Sequence, residues 1–537
     1  MGVNKEVDRR VTTEAKDDEC EIKIKIVTQD GRVPTEEHTV TSDQHRINKP
    51  LLCLFDGSKL ARQQYLQIGL PLYKAALKND WRAAKAMIQK QSQLLRTAIT
   101  WAEETVLHIA TGAKHVQFVK ELINLMDEID VALQDSKGNT AFCHAALNGS
   151  IEIATIMIQK NESLPLIRGG QGMTPLYMAT LFGQSEMSWF LYPLTKSILG
   201  KGERIGIFFN CINFDLYDLA LKMFEDDRAL AMACDMHNNT ALHILARKPY
   251  AFCHHKTSTI RTSYTFSKCN QALQLVKHIW KEILVCLPNV EVHNLINTPT
   301  RLLFEAAELG NYQFLVELLG LYPDLVWEVD EKNRTIFHIA VLNRHENIFS
   351  LIHQIGSAKD IIITFEDDEN NNMLHHAAIL PPSHKLNIEL GGTLHLEQEL
   401  SLFKEVQRNM LPSFAHMKNS NGLTPEDVFI KMYYPFLESA KRRMKRTTKL
   451  CLMISILVFI GIMITTSLSF YNDIKKPKEK FLEELALFFS CISTLAFSYI
   501  LTSNNLRIER LTTLQYKLKI GLGMLFISMS MMLLAFI

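Results

Sequence analysis

The adjacent histidines His375 and His376, in the stretch NNNMLHHAA (370–378), are the first residues whose type and spacing suggest chemistry. Two imidazoles can hold a metal ion or share a proton. Zinc, however, needs its donors at about 2.0–2.1 Å, and neighbours on a helix point roughly 100° apart. Nor is His375 isolated. The same place in the pattern small/Thr–x–apolar–x–x–Ala is held by His108, His243 and His338, and elsewhere by Tyr73, Cys143, Tyr177 and Phe304. A slot that accepts Phe reads as structural. Its histidines are expected to hydrogen-bond the turn backbone and fix the helix start beside the Thr, with His376 a mere helical neighbour.

The other candidates are weaker. CHHK (253–256) with Cys269 matches no common zinc spacing and reads as a loop with incidental ligand types. The glycine-rich RGGQGMTP (168–175) precedes a Thr-Pro and reads as a hairpin tip rather than a phosphate cradle. No nucleophile elbow, phosphate loop or kinase signature occurs, so no catalytic, cofactor or metal residue is expected and the chain reads as a non-enzyme. The ten cysteines contain no CxxC, and no apolar secretory core opens the chain, which points to a reduced, cytosolic setting for most of it. A net charge of +1 argues against nucleic acid as a partner. Glu6 stands where a myristoylation signal prefers Ser or Thr.

What positions these residues is a repeat. From Tyr73 the slots are separated by 35, 35, 34, 66, 61, 34 and 37 residues, and Phe209 fills the gap of 66. A period near 33 with a Thr-Pro-Leu-His-type signature resembles the ankyrin repeat, a pair of antiparallel helices and a turn per unit. In TAFCHAALNGSIEIATIMI, Asn148-Gly149 stops a short first helix and Ile151, Ala154 and Ile158 line one face of the second. The expected class is therefore an all-α ankyrin-repeat solenoid of about nine repeats, followed by a C-terminal transmembrane helix cluster. Residues 1–69 read as polar and flexible, apart from the strand-like EIKIKIV (21–27), and 70–380 as the repeats with an insertion near 247–290. Of that insertion, 247–270 reads as a loop and 271–287 as helix. An amphipathic bridge and capping helices fill 381–446, and the membrane region covers 447–537. Hairpin tips offer Lys137, Asn139, Gln171, Met173, His237, Asn239, Lys332 and Arg334 as partner-binding residues.

Three apolar runs, 450–471, 485–506 and 520–537, close the chain. Twenty-two helical residues reach about 33 Å, enough for a hydrocarbon core of about 30 Å. Directly before them stand Lys441, Arg442, Arg443, Lys445, Arg446 and Lys449, a cluster that holds its side in the cytosol and attracts anionic lipid. The array, the bridge LEQELSLFKEV and the terminal spans together resemble plant ankyrin-repeat membrane proteins with a PGG domain, of the accelerated-cell-death and salt-tolerance type. Two departures stand out. The loop YNDIKKPKEK (471–480) lacks the Pro-Gly-Gly, and three spans stand where that family has four, the last reading as absent. The resemblance implies an integral membrane scaffold of the plasma membrane or an endomembrane with its repeats in the cytosol. It would bind other proteins and the bilayer, in homo- or hetero-oligomers, in defence, cell-death or stress signalling. The alternative is a subunit of an ion channel or transporter with a cytosolic ankyrin array. An ankyrin-bearing acyltransferase would need an Asp-His-His-Cys motif, and none occurs.

Overall fold

The computed structural model describes residues 49–252, 263–381, 392–472, 477–503 and 508–536. EIKIKIV (21–27) and CHHK (253–256) lie outside the described residues. The chain is 73% helical with no strand among the described residues, which makes the class all-α. It divides into two compact units between Ala241 and Leu242.

In the first unit, antiparallel pairs follow one another. They are α1 (Leu70–Leu77) with α2 (Trp81–Lys90), α3 (Val106–Gly112) with α4 (Val116–Ile123), and α5 (Ala141–Asn148) with α6 (Ile151–Lys160). Then come α7 (Pro175–Leu181) with α8 (Ser185–Thr195), and α9 (Lys201–Asn213) with α10 (Tyr217–Asp226). The first helices α5 and α7 are short and begin on a threonine cap. Thr140 Oγ1 accepts from Cys143 N at 3.3 Å and Thr174 Oγ1 from Tyr177 N at 3.2 Å. At the other end of α5, Gly149 takes φ 73°, a left-handed stop that a Cβ would strain. Ala76, Ala110, Ala145 and Ala179 are fully buried, so the helices of successive pairs approach closely. The second helices supply bulk. Phe118, Val119 and Leu122 are wholly buried, each stabilising by roughly 1.5–3 kcal/mol.

The second unit holds α11 (Ser263–Cys286), α12 (Asn289–Asn297), α13 (Leu302–Leu309) with α14 (Tyr312–Leu321), and α15 (Ile336–Leu342) with α16 (Glu346–Phe349). After these come α17 (Met373–Ala378), α18 (Gly392–Asn409), α19 (Pro425–Asn472), α20 (Pro477–Thr502) and α21 (Ile508–Phe536). Two expectations are corrected here. The loop expected over 247–270 gives way to helix at Ser263, because the face Ala272, Leu275, Ile279 and Ile283 packs on α14 and Trp280 Nε1 donates to Leu318 O at 3.2 Å. The capping helix and first span, expected as separate elements, are one helix of 48 residues. The stretch between them is rich in Lys and Arg, which favour helix.

Three helices are long and apolar enough to cross a bilayer, by length and composition: Pro425–Ser467, Phe481–Thr502 and Tyr516–Leu534. Where they pack, buried hydroxyls meet each other. Ser455 Oγ lies against the Ser493 hydroxyl and 2.8 Å from Thr494 Oγ1, and Ser528 Oγ donates to Ala486 O at 2.8 Å. Such pairing is what polar groups need where water is absent.

Candidate functional site

His108, His338 and His375 each join one repeat to the next. His108 Nδ1 accepts from Thr105 N at 3.2 Å, while its Nε2 donates to the Asn139 carbonyl of the following hairpin at 3.1 Å. His338 does the same with Thr335 N at 3.3 Å and Phe365 O at 3.2 Å. His375 takes Asn372 N at 3.3 Å and Leu423 O at 3.1 Å. His243 is fully buried on the short helix Ala241–Ala246. This pattern selects the neutral Nε2–H tautomer, since a second ring proton would face the backbone N–H. Burial, then the neighbouring His144, pushes His108 down to about 4. Burial, then His376, pushes His338 down to about 3. His375 is lowered too, first by burial.

His376 is more than a helical neighbour. Its ring stands edge-on to His338 with centroids 5.5 Å apart, and its Nε2 lies 3.1 Å from Asp367 Oδ2. The arrangement recurs in the first unit, where His144 is edge-on to His108 at 5.4 Å and 3.7 Å from Asp135. Burial raises the Asp135 carboxyl, but the nearby His144 and hydrogen bonds from Asn139 outweigh it and bring it down to about 2. The same opposition leaves Asp367 well below the usual carboxylate range.

Those aspartates build the hairpin tips. Asp135 Oδ1 accepts from the backbone N–H of Lys137 at 2.9 Å and of Asn139 at 2.7 Å. Asp235 binds His237 N at 2.7 Å and Asn239 N at 2.8 Å, and Asp330 binds Lys332 N at 2.9 Å and Arg334 N at 2.8 Å. Asp367 repeats the pattern with Glu369 N at 2.9 Å and Asn371 N at 2.8 Å. In each tip the residue three after the Asp is left-handed: Gly138, Asn238, Asn333 and Asn370. Sequence reasoning missed this loop, although the signal Asp-x-x-x-(Asn/Arg), then Thr or Asn, stands in DSKGNT, DMHNNT, DEKNRT and DDENNN.

The structure sorts the eight expected tip residues. Lys137, Gln171, His237 and Lys332 are exposed, and Met173 is half-buried. Asn139, Asn239 and Arg334 point inward. Asn139 Oδ1 accepts from Gly170 N at 2.8 Å, Asn239 Nδ2 donates to Asp235, and Arg334 pairs with Asp330 at 2.6 Å. The glycine-rich run is the tip before α7, and Arg168 is tied down by Glu203 at 2.9 Å and the Gly172 carbonyl at 2.7 Å. With the tip backbone satisfied internally, what each tip presents to solvent is its outward side chains. Among the described residues, no group of three or more His, Cys, Asp or Glu is arranged to hold a metal. Among the described cysteines, Cys269 is disulfide-bonded while Cys53, Cys143, Cys211, Cys234, Cys286, Cys451 and Cys491 are free, so the reduced setting expected for most of the chain does not extend to Cys269.

All six residues of the basic cluster lie on α19. Arg442, Arg443, Arg446 and Lys449 are exposed, with Arg442 2.7 Å from Glu438, and Lys441 and Lys445 are half-buried.

The family described as ankyrin repeats (3 copies) matches residues 72–167 and 107–200. No curated protein matches the chain. The chain therefore carries ankyrin repeats, which are protein-interaction scaffolds, and the Asp-anchored hairpin recurs beyond the matched residues, at Asp235, Asp330 and Asp367. The match ends before the apolar helices, so likeness to the PGG membrane proteins rests on the order of parts alone.

Proposed function

We propose that the chain is a non-catalytic adaptor, tethered to a membrane by its three C-terminal helices, that recruits a partner protein through its hairpin tips. The observation that carries this reading is the division of labour within each tip. An aspartate holds the backbone in the tips of Lys137, His237 and Lys332, Arg168 and Asn139 bind it in the tip of Gln171, and these four side chains are left outward. Rigid presentation reduces the ordering cost of binding. The basic cluster ahead of the first apolar stretch supports a cytosolic array. The likeness to plant ankyrin membrane proteins supports a role in defence, cell-death or stress signalling.

The test is comparative capture from carbonate-washed membranes in mild detergent. The wild-type chain is set beside a variant carrying Lys137→Glu, Gln171→Ala, His237→Ala and Lys332→Glu, all exposed positions that leave the core intact. Proteins lost from the variant but kept by the wild type are the expected result. An unchanged protein set, with both chains in the membrane pellet, would count against the tips as the docking surface.

A further inference from the structure

We propose that α19 is a single lever joining the last ankyrin units to the bilayer, so that tilt of the first span and opening of those units are linked. The proposal rests on the membrane reading above. Its first support is the hairpin that precedes α19. Asn419 Oδ1 accepts from Asn421 N at 3.0 Å and Leu423 N at 3.1 Å, and Gly422 takes φ 73° in the left-handed place. This is the geometry of the four Asp tips with Asn in the acid's position. Thr424 and Asp427 then form a reciprocal cap, Thr424 N donating to Asp427 Oδ2 at 3.1 Å and Asp427 N to Thr424 Oγ1 at 3.2 Å. Asp427 stands eight residues after Asn419, as His338 does after Asp330 and His375 after Asp367. The start of α19 is thus the first helix of one more repeat. In α3, α5, α7, α13 and α15 that helix stops after about two turns, but here it continues to Asn472.

The second support is a buried lock on the same helix. Arg344, left-handed at φ 66° in the turn between α15 and α16, donates from Nε to Glu399 Oε2 of α18 at 2.7 Å. Tyr433 of α19 donates its hydroxyl to the same Glu399 oxygen at 2.6 Å and accepts from Arg344 Nη2 at 3.0 Å. Arg344 also binds the Ile379 carbonyl beyond α17. Phe429 stacks on Tyr433 at 4.4 Å and meets Phe403 of α18 at 5.0 Å. A buried charge with its partners in place resists sliding, because any shift leaves a charge unpaired. Rotation of α19 therefore has to move α15, α17 and α18 or break the lock. Linkage is reciprocal, so occupancy of the last tips also biases the span.

Bilayer thickness is a probe of span tilt that needs no partner. The full chain is placed in nanodiscs of short-chain or long-chain phosphatidylcholine, and hydrogen exchange is read at 336–342 and 373–378. The expected result is a thickness-dependent exchange rate there, changing about threefold or more, while 141–195 stays constant. In Tyr433→Phe, and again in Arg344→Lys, that dependence shrinks although exchange at 141–195 is unaltered. Thickness-independent exchange in the wild type, or full dependence in both variants, would overturn the lever alone. Failure of the chain to enter the discs, read by size exclusion, would overturn the membrane reading and the lever with it.

Discussion

At the residue scale, the histidine slot is a backbone joint. His338 satisfies a donor and an acceptor in successive repeats, the Thr335 N–H and the Phe365 carbonyl. His338→Ala leaves both orphaned beside a cavity, so a loss of about 2–4 kcal/mol is expected in denaturant unfolding of the purified full chain. A loss below about 1 kcal/mol would show that the joint does not matter. Acid acts on the same joint. His108 and His338 fold with values near 4 and 3, below an ordinary histidine at about 6.5. The unfolded chain then binds more protons, so stability is full above about pH 6.5 and falls with pH through that window toward pH 4 and then 3. Asp135, at about 2 when folded, loses its contribution in a lower window, from about pH 4 downward. Thermal scans between pH 7.5 and 4.5 are expected to show the midpoint falling, with a smaller fall in His108→Gln. An acid-insensitive midpoint would contradict the neutral tautomer. The slot itself was legible in the sequence because Phe, Tyr and Cys share it. The role of His376 was not, since its partner Asp367 is identified only once the hairpin folds back.

At the element scale, the hairpin is the unit that fixes spacing. Asp330→Ala removes the acceptor of two backbone N–H groups and the partner of Arg334, and a cost of about 1–3 kcal/mol is expected. Exchange at the amides of Lys332 and Arg334 should rise first, with 141–195 unchanged. Uniform acceleration along the chain would instead mean global loss of the fold. The period of the repeat was readable because apolar and small residues recur at fixed intervals. The helix extents were not, because a charged stretch of Lys, Arg and Glu reads as a loop by polarity yet favours helix by propensity. For that reason α20 begins at Pro477 and α21 at Ile508, ahead of the apolar runs that mark them.

At the scale of the whole molecule, each function depends on parts distant in sequence. The apolar helices are joined by buried hydroxyls, and in a bilayer those groups have no other partner. Ser455→Val removes the shared one and is expected to weaken helix association by roughly 0.6–2 kcal/mol, seen as greater detergent sensitivity of the folded chain. No change would assign the packing to shape alone. The central claim, an array that engages protein through its tips while its last helices lie in a membrane, is tested most directly by site-specific cross-linking in intact membranes. A photoreactive residue is placed in turn at Lys137, at Lys332 and at the buried Phe337, and the chain is recovered from the carbonate-resistant pellet. The account predicts cross-links to another protein from both tips and none from Phe337. A chain that stays in the pellet but forms no protein cross-link at either tip, or forms them equally from Phe337, would contradict it.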